Sequence, residues 1–408
     1  MTEVLDAAIV GAGPAGLAAA LEIASRGFRV TVFDEYPIAG GRLLGQHYRI
    51  GRREWNGREV AGHLLQSLSE HPTAAVSTRT TVYEIVPDQQ DSFLVRTHPH
   101  GDVRTRRVLV ATGASERPVP VPGWTLPGVM TVGGAQVLSI VHGVRPGRRG
   151  LIIGSGVLSF AIAEELTAAG VEQLGIVMAP SHPATRHLGP VTSQWAALHV
   201  LRAASPPLLR PFVGMMHRPR ARQLLLRLYP SGGVPLGRAR IYLDQAAVRI
   251  LGDKAVEAVE LRRLRPDGSP GQTSRVVPAD FVLLSGGLSP VTELLYPLGV
   301  DMAEEAALGG SVPILSSHGA TSLPGVFVAG NAGGVESGAV ALQQGRVTGL
   351  AIVHGLGPEC RSVDEALAAA EAQLARERAE SPFEFMPGAR EAVARRQAAR
   401  PGGRGPAS

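Results

Sequence analysis

The stretch AAIVGAGPAGLAAALEIA, residues 7–24, sets a short apolar run against closely spaced glycines. Ala7 to Val10 read as a buried strand, and the chain then turns through Gly11, Gly13 and Gly16 into a helix reaching about Arg26. FRVTVF follows as a second strand and ends on Asp34 and Glu35. Strand, glycine turn, helix and acid-tipped strand together make a dinucleotide-binding unit. Gly11 permits the tight turn, Gly13 lets backbone approach a pyrophosphate, and Gly16 lets the helix pack against the strand. Pro14 and Ala15 open that helix, whose amides and positive dipole end face the phosphates. Glu35 is the expected ribose ligand, with Asp34 beside it. The run has a leader-like hydropathy, but it lacks a basic n-region and its glycines fall at nucleotide spacing, so a signal sequence is rejected.

The turn specifies a dinucleotide without saying which. AGGRLLGQHY, residues 39–48, follows directly, and Gly40, Gly41 and Arg42 can carry the backbone along the phosphates. That extension is common in flavoproteins and not expected of a nicotinamide dehydrogenase, which favours FAD.

Composition narrows the class. A chain of 408 residues suggests two or three domains, and 44 % hydrophobic with 18 % charged residues describes an ordinary globular protein. The formal charge is +5, but the basic residues are scattered and Lys254 is the only lysine, so nucleic-acid binding is not expected. One cysteine, Cys360, excludes an internal disulfide, a redox pair and a cysteine-ligated cluster held by this chain alone. The histidines at 182, 187, 199 and 217 lack metal-ligand spacing, and no metal is expected. No run of about 20 apolar residues fits a membrane span, and the expected location is the cytoplasm.

Further along, TTVYEIV (80–86) and DSFLVRT (91–97) alternate like strands of an antiparallel meander. Val108 to Ala111 form another buried strand, ending at Thr112 and Gly113. RRGLIIGSGVLSFAIAEELTAAGVEQLGIVM (148–178) repeats the first unit with Gly154, Gly156 and, in third place, Ser159. Its second strand ends in Met178-Ala179 with no acid, which leaves three readings open: NAD(P), another adenine nucleotide, or a purely structural domain. Helical periodicity returns from Arg220 to Leu228. Near the end, VFVAGNAGG (326–334) reads as a strand running into a glycine turn, with a helix starting near Glu336 or Ser337. A helix amino end there would stabilise negative charge on a flavin ring.

This order of motifs resembles the two-dinucleotide-binding FAD oxidoreductases over residues 5–355. ATGASERPVPVPGWTLPGVMTVGGAQVL and GGLSPVTELLYPLGV look like the matching segments of three groups of relatives: the A (alpha) chains of opine oxidases, the flavoprotein B chain of hydrogen cyanide synthase, and the alpha chains of proline and hydroxyproline dehydrogenases. The resemblance implies an α/β, glutathione-reductase-like fold of two Rossmann-like domains. FAD would occupy a discontinuous domain of residues 1–117 and 281–358, with a second nucleotide domain at 118–280. A helical extension would follow at 359–394, in which Ser362 and Glu365 suit a capping box, and then a disordered tail at 395–408.

It further implies that Gly11, Gly13, Gly16, Glu35, Arg42, Val82, Thr112, Gly113, Gly330 and Asn331 contact FAD, with Pro14, Ala15, Asp34, Gly41 and Ala111 in the same site. The family commonly has Asp where this chain has Asn331, which keeps a hydrogen-bonding side chain without the charge. In this family such a chain works beside a second flavoprotein and an iron–sulfur carrier. Relatives often hold that [2Fe–2S] cluster in a cysteine-rich domain; here a separate small protein is expected to carry it. The implied function is electron transfer in a multicomponent amine or amino-acid dehydrogenase, with no catalytic side chain assigned. A self-contained NAD(P)H-dependent flavin reductase and a non-catalytic nucleotide-binding scaffold are the alternatives.

Overall fold

The computed structural model describes residues 4–50, 53–88, 91–181, 188–197, 218–236, 238–357, 361–381 and 388–399. Cys360 and the histidines at 182, 187, 199 and 217 lie outside the described residues. The chain divides into two units, one of Met1–Gln46, Trp55–Ser115 and Ser289–Ser408, the other of His47–Glu54 and Glu116–Leu288.

The first unit opens with β1 (Leu5–Val10), α1 (Pro14–Ala24) and β2 (Val30–Phe33). Then come α2 (Gly57–Ser69), β3 (Ala74–Ser77), β4 (Thr81–Asp88), β5 (Ser92–His98) and β6 (Gly101–Val110). β3, β2, β1 and the second half of β6 run parallel, with Ala7 opposite Val30 and Arg107. The first half of β6 pairs antiparallel with β5, and β5 with β4, so one long strand joins a parallel sheet to a meander. The period-two alternation of β1 sends Ala7 and Ile9 to one face, among Leu17 and Ile23 of α1. Ala8 and Val10 go to the other face, with Ile85, Phe93 and Leu295.

The second unit contains β7 (Val129–Thr131), β8 (Arg149–Ile153), α3 (Val157–Ala168), β9 (Gln173–Met178), α4 (Val191–Ala197) and α5 (Pro219–Arg227). β10 (Ala239–Leu251), β11 (Ala258–Leu264), β12 (Pro270–Pro278) and β13 (Phe281–Leu284) complete it. The order is β7-β13-β8-β9-β10-β11-β12, parallel as far as β10 and antiparallel beyond. Its core gathers Ile152, Ile162, Leu166 and Ile176 around Trp195, a fully buried side chain whose Nε1–H donates to Leu243 O at 2.8 Å.

Back in the first unit, β14 (Val326–Val328) pairs parallel with Val108–Val110 of β6. Helix α6 (Gly338–Leu356) follows, capped by Ser337, whose Oγ accepts from Val340 N–H at 3.3 Å. Then come α7 (Arg361–Glu380) and α8 (Ala389–Ala399). α7 packs Ala370 and Leu374 on Val340, Val347 and Leu350 of α6, and α8 packs Ala392 and Val393 on Leu308 and Val312. α8 continues past residue 395, where the sequence suggests a disordered tail to begin. Apolar burial on one face and arginine contacts on the other hold it there: Arg395 meets Glu305 at 3.3 Å and Arg396 meets Pro313 O at 3.3 Å.

Candidate functional site

Three glycine-bearing strand ends of the first unit meet. Gly11 has φ +104°, and a Cβ on it would sit 2.4 Å from Ala111 O, so the first turn touches the end of β6 directly. A Cβ on Gly16 would fall 1.9 Å from Gly11 O, which holds α1 close to the strand. Gly13 differs from both: a Cβ there would meet nothing within 4 Å, leaving open space where backbone can approach a ligand. Gly330, at φ +69°, lies against Ala15, with an added Cβ 3.0 Å from that side chain. The turn after β14 is thereby seated on the start of α1, beside Pro14.

The second-strand acids divide their work. Asp34 is 9 % exposed; its Oδ2 accepts from Ala12 N–H at 2.6 Å and its Oδ1 from Tyr36 N–H at 2.9 Å. It shapes the glycine turn from behind, whereas Glu35 is exposed and open to a ligand. Thr80 N–H donates to Asp34 O at 2.9 Å, bringing the start of β4, and with it Val82, to this side. The Gly40–Arg42 segment folds back as well. Gly40 N–H donates to Ala12 O at 2.8 Å, and a Cβ on Gly41 would lie 3.0 Å from Gly13 Cα, while the Arg42 side chain is exposed. Thr112 Oγ1 donates to Val291 O at 2.7 Å and Gly113 O accepts from Val291 N–H at 3.0 Å. Gly113, at φ +77°, has open space around its Cα.

Asn331 spends its oxygen inside the protein. Oδ1 accepts from Glu336 N–H at 3.0 Å, closing the loop that leads into α6. Its Nδ2 has no hydrogen-bond partner among the described residues. The sequence also gives no hint of several residues behind this turn. Gln344 Oε1 accepts from Gly330 N–H at 2.8 Å, its Nε2 donates to Glu336 Oε2 at 2.5 Å, and Arg378 forks onto the same carboxylate at 2.9 and 2.8 Å. Arg396 donates to Gly333 O at 2.5 Å, and burial lowers its pKa to about 10, still cationic at neutral pH. Gln46 rests at the amino end of α6: its Oε1 accepts from Trp55 Nε1–H at 3.1 Å and would lie 2.8 Å from a Cβ on Gly338. Arginines in a charged helix and a glutamine after a loop carry no local pattern that would mark them.

The second unit keeps the turn but uses it differently. Gly154, at φ +113°, would place a Cβ 2.2 Å from Ser285 O, and Gly156 stands more open. Ser159 is fully buried, its Oγ 2.8 Å from both Gly154 O and Ser285 Oγ, so it ties the turn to β13's end. Ala179, at the position where an acid would hold ribose, has both backbone groups paired with the Gln194 side chain at 3.3 Å. Among the described residues no group of His, Cys, Asp and Glu could hold a metal ion, and no helix is long and apolar enough to cross a membrane.

Residues 5–203 match the pyridine nucleotide-disulphide oxidoreductase family. Over 377 residues the chain is 33 % identical to the A chain of opine oxidase from Rhizobium meliloti (strain 1021), covering 89 % of this chain and 73 % of that protein. The chain belongs to this oxidoreductase family. Within it, HcnB of the hydrogen cyanide synthase of Pseudomonas aeruginosa is 29 % identical over 90 % of this chain and 74 % of its own length. The alpha chain of sarcosine oxidase from Rhizobium meliloti (strain 1021) is 26 % identical over 88 % of this chain, which spans 31 % of that protein. Among solved structures, L-proline dehydrogenase from P. horikoshii superposes with a TM-score of 0.62 at 19 % identity, over 90 % of this chain. This chain spans only 59 % of that one. Thioredoxin reductase from Lactococcus lactis gives 0.61 at 18 % identity, over 86 % of this chain and 99 % of that one. These two structures establish the fold: the two-dinucleotide-domain α/β architecture that the sequence leads one to expect.

The protein is therefore an FAD-dependent oxidoreductase. The residues present fit that cofactor: Gly13 and Gly113 are open where Gly11 and Gly16 are filled, and an exposed acid stands at the tip of β2.

Proposed function

We propose that this chain is the FAD-binding electron-transfer component of a multicomponent amine or amino-acid dehydrogenase or oxidase, of the opine, proline or glycine type. The observation that carries the reading is the meeting of Gly11–Gly16, Ala111–Gly113 and Gly330–Asn331 around the open space at Gly13. FAD, when bound, supplies the redox chemistry by accepting and releasing electrons. The chain's own residues bind and orient it. Gly11, Gly13, Pro14, Ala15, Gly16, Gly41 and Arg42 would hold the pyrophosphate, Glu35 the ribose, and Val82, Ala111, Thr112, Gly113 and Asn331 the remainder, with Asp34 and Gly330 shaping the site.

The names of the relatives, each one component of an oxidase or synthase, support a heteromeric complex. The proposed partners are a second flavoprotein and a separate small [2Fe–2S] protein, in the cytoplasm. A reading without nicotinamide is favoured because Ser159 and Ala179 are spent on internal hydrogen bonds. The surviving geometry of Gly154 and Gly156 keeps a second reading in play, an NAD(P)H-dependent flavin reductase, or a domain holding another adenine nucleotide.

The test is an absorbance spectrum of the purified chain, followed anaerobically on adding NADH and then NADPH. A yellow protein that stays oxidised is expected. Bleaching by either nucleotide makes it a self-sufficient reductase and overturns the reading as one component of a complex.

A further inference from the structure

Helices α7 and α8 follow the dinucleotide fold in the chain, yet each sends an arginine to the turn that opens α6. Gly330–Gly334 holds three glycines in five residues, with φ +69° at Gly330 and +140° at Gly334. Such a segment loses much backbone freedom on becoming ordered, and a ligand that orders it loses affinity accordingly.

Here the order is imposed by side chains. From α7, Arg378 forks onto Glu336 at 2.9 and 2.8 Å, in a pair only 19 % and 14 % exposed. Glu336 is fixed in turn to Gln344 Nε2, and Gln344 Oε1 accepts from Gly330 N–H. The Glu336 backbone N–H donates to Asn331 Oδ1. From α8, Arg396 donates to Gly333 O and Pro313 O. A lone exposed ion pair contributes little, but a planar fork in a shielded, connected network fixes geometry. Two acids stand near Arg396, Glu336 and then Glu305; Glu336 is forked by Arg378 and Glu305 is paired with Arg395, so the hydrogen bonds of Arg396 go to carbonyl oxygens.

We infer that Arg378 and Arg396 are positioning residues for FAD: the two carboxy-terminal helices brace the Gly330–Gly334 turn in its binding-competent form before the cofactor arrives. This rests on the reading of that turn as part of the FAD site.

The test is FAD affinity of the full chain after removal of the cofactor, read by flavin fluorescence. Arg378→Gln and Arg396→Gln are expected to raise the FAD Kd about 10-fold each, the scale of one lost charge-assisted hydrogen bond. Arg378→Lys, which keeps charge without the fork, recovers part of it. Glu371→Gln is the control: it takes the charge from another α7 contact, the 2.8 Å pair with His318, and should leave the Kd unchanged. Wild-type affinity in both glutamine variants overturns the inference. So does an equal loss in Glu371→Gln, which would assign the effect to helix docking. Should Arg378→Gln not fold, Glu336→Gln drops the charge from the other side of the pair and is expected to weaken FAD to the same extent; wild-type affinity there again overturns the inference. A wild-type chain that binds no FAD defeats the cofactor reading itself, and the brace with it.

Discussion

Two adjacent acids, Asp34 and Glu35, look interchangeable in the sequence and are not. Asp34 accepts two backbone N–H bonds and is almost fully buried, so its charge is committed to the turn. Glu35 is exposed, and the proposed site gives it the ribose hydroxyls. Glu35→Gln is expected to weaken FAD by roughly 10-fold, about 1.4 kcal/mol, while leaving the unfolding temperature of the FAD-free chain unchanged. Fluorescence titration beside a thermal melt separates the two; a fall in the melt would mean that Glu35, too, is structural. Ser159 teaches a similar lesson. Read along the chain it is a degraded third glycine; in the fold its hydroxyl replaces the close approach with hydrogen bonds to Gly154 O and Ser285 Oγ. That role depends on Ser285, 126 positions away, which no local pattern reveals.

At the level of elements, α1 and α6 cross on small residues. A Cβ on Gly345 would lie 2.1 Å from Ala15 O, and one on Gly349 2.7 Å from Ala19 O. Gly345→Ala must push backbone from backbone, and is expected to cost ~1–3 kcal/mol in urea unfolding and to weaken FAD by shifting α1. In the second unit, α3 carries Glu165, whose carboxylate accepts from Gln136 Nε2 at 2.7 Å and His47 N–H at 3.3 Å. Burial, the largest cause, pushes its pKa up to about 7, against the smaller opposing pull of those hydrogen bonds. The folded state therefore holds this proton more tightly than the unfolded chain. Its contribution is complete below about pH 4.5 and is lost as pH rises through about 7. Melts at pH 5 to 8 should show stability falling, by on the order of 2 kcal/mol, and Glu165→Gln should flatten that slope. An unchanged slope would place the titration elsewhere.

For the molecule as a whole, the proposed FAD site belongs to the first unit and Glu165 to the second. FAD at about 100 times its Kd should stabilise the first unit by about 2.7 kcal/mol, and its melting temperature should climb further with each increase in FAD. Calorimetry with and without added FAD, at pH 5 and pH 8, should move two transitions independently. A single transition responding to both would show that the units unfold as one.

The sequence by itself determined the two strand–glycine turn–helix units, because glycine spacing and apolar strand runs, with an acid at the strand tip in the first unit only, are local consequences of turn sterics and side-chain alternation. It also pointed from AGGRLLGQHY and VFVAGNAGG to a flavin and to a domain completed late in the chain. Only the tertiary structure decided what the polar residues do. Asp34, Asn331 and Ser159 turn inward, and Gln344, Arg378 and Arg396 gather behind one turn from three different helices, the last of them where the sequence suggests a disordered tail. The physical reason is range: sterics and periodicity act between neighbours in sequence, whereas a hydrogen bond's partner is set by which distant backbone groups the packed core brings within 3 Å.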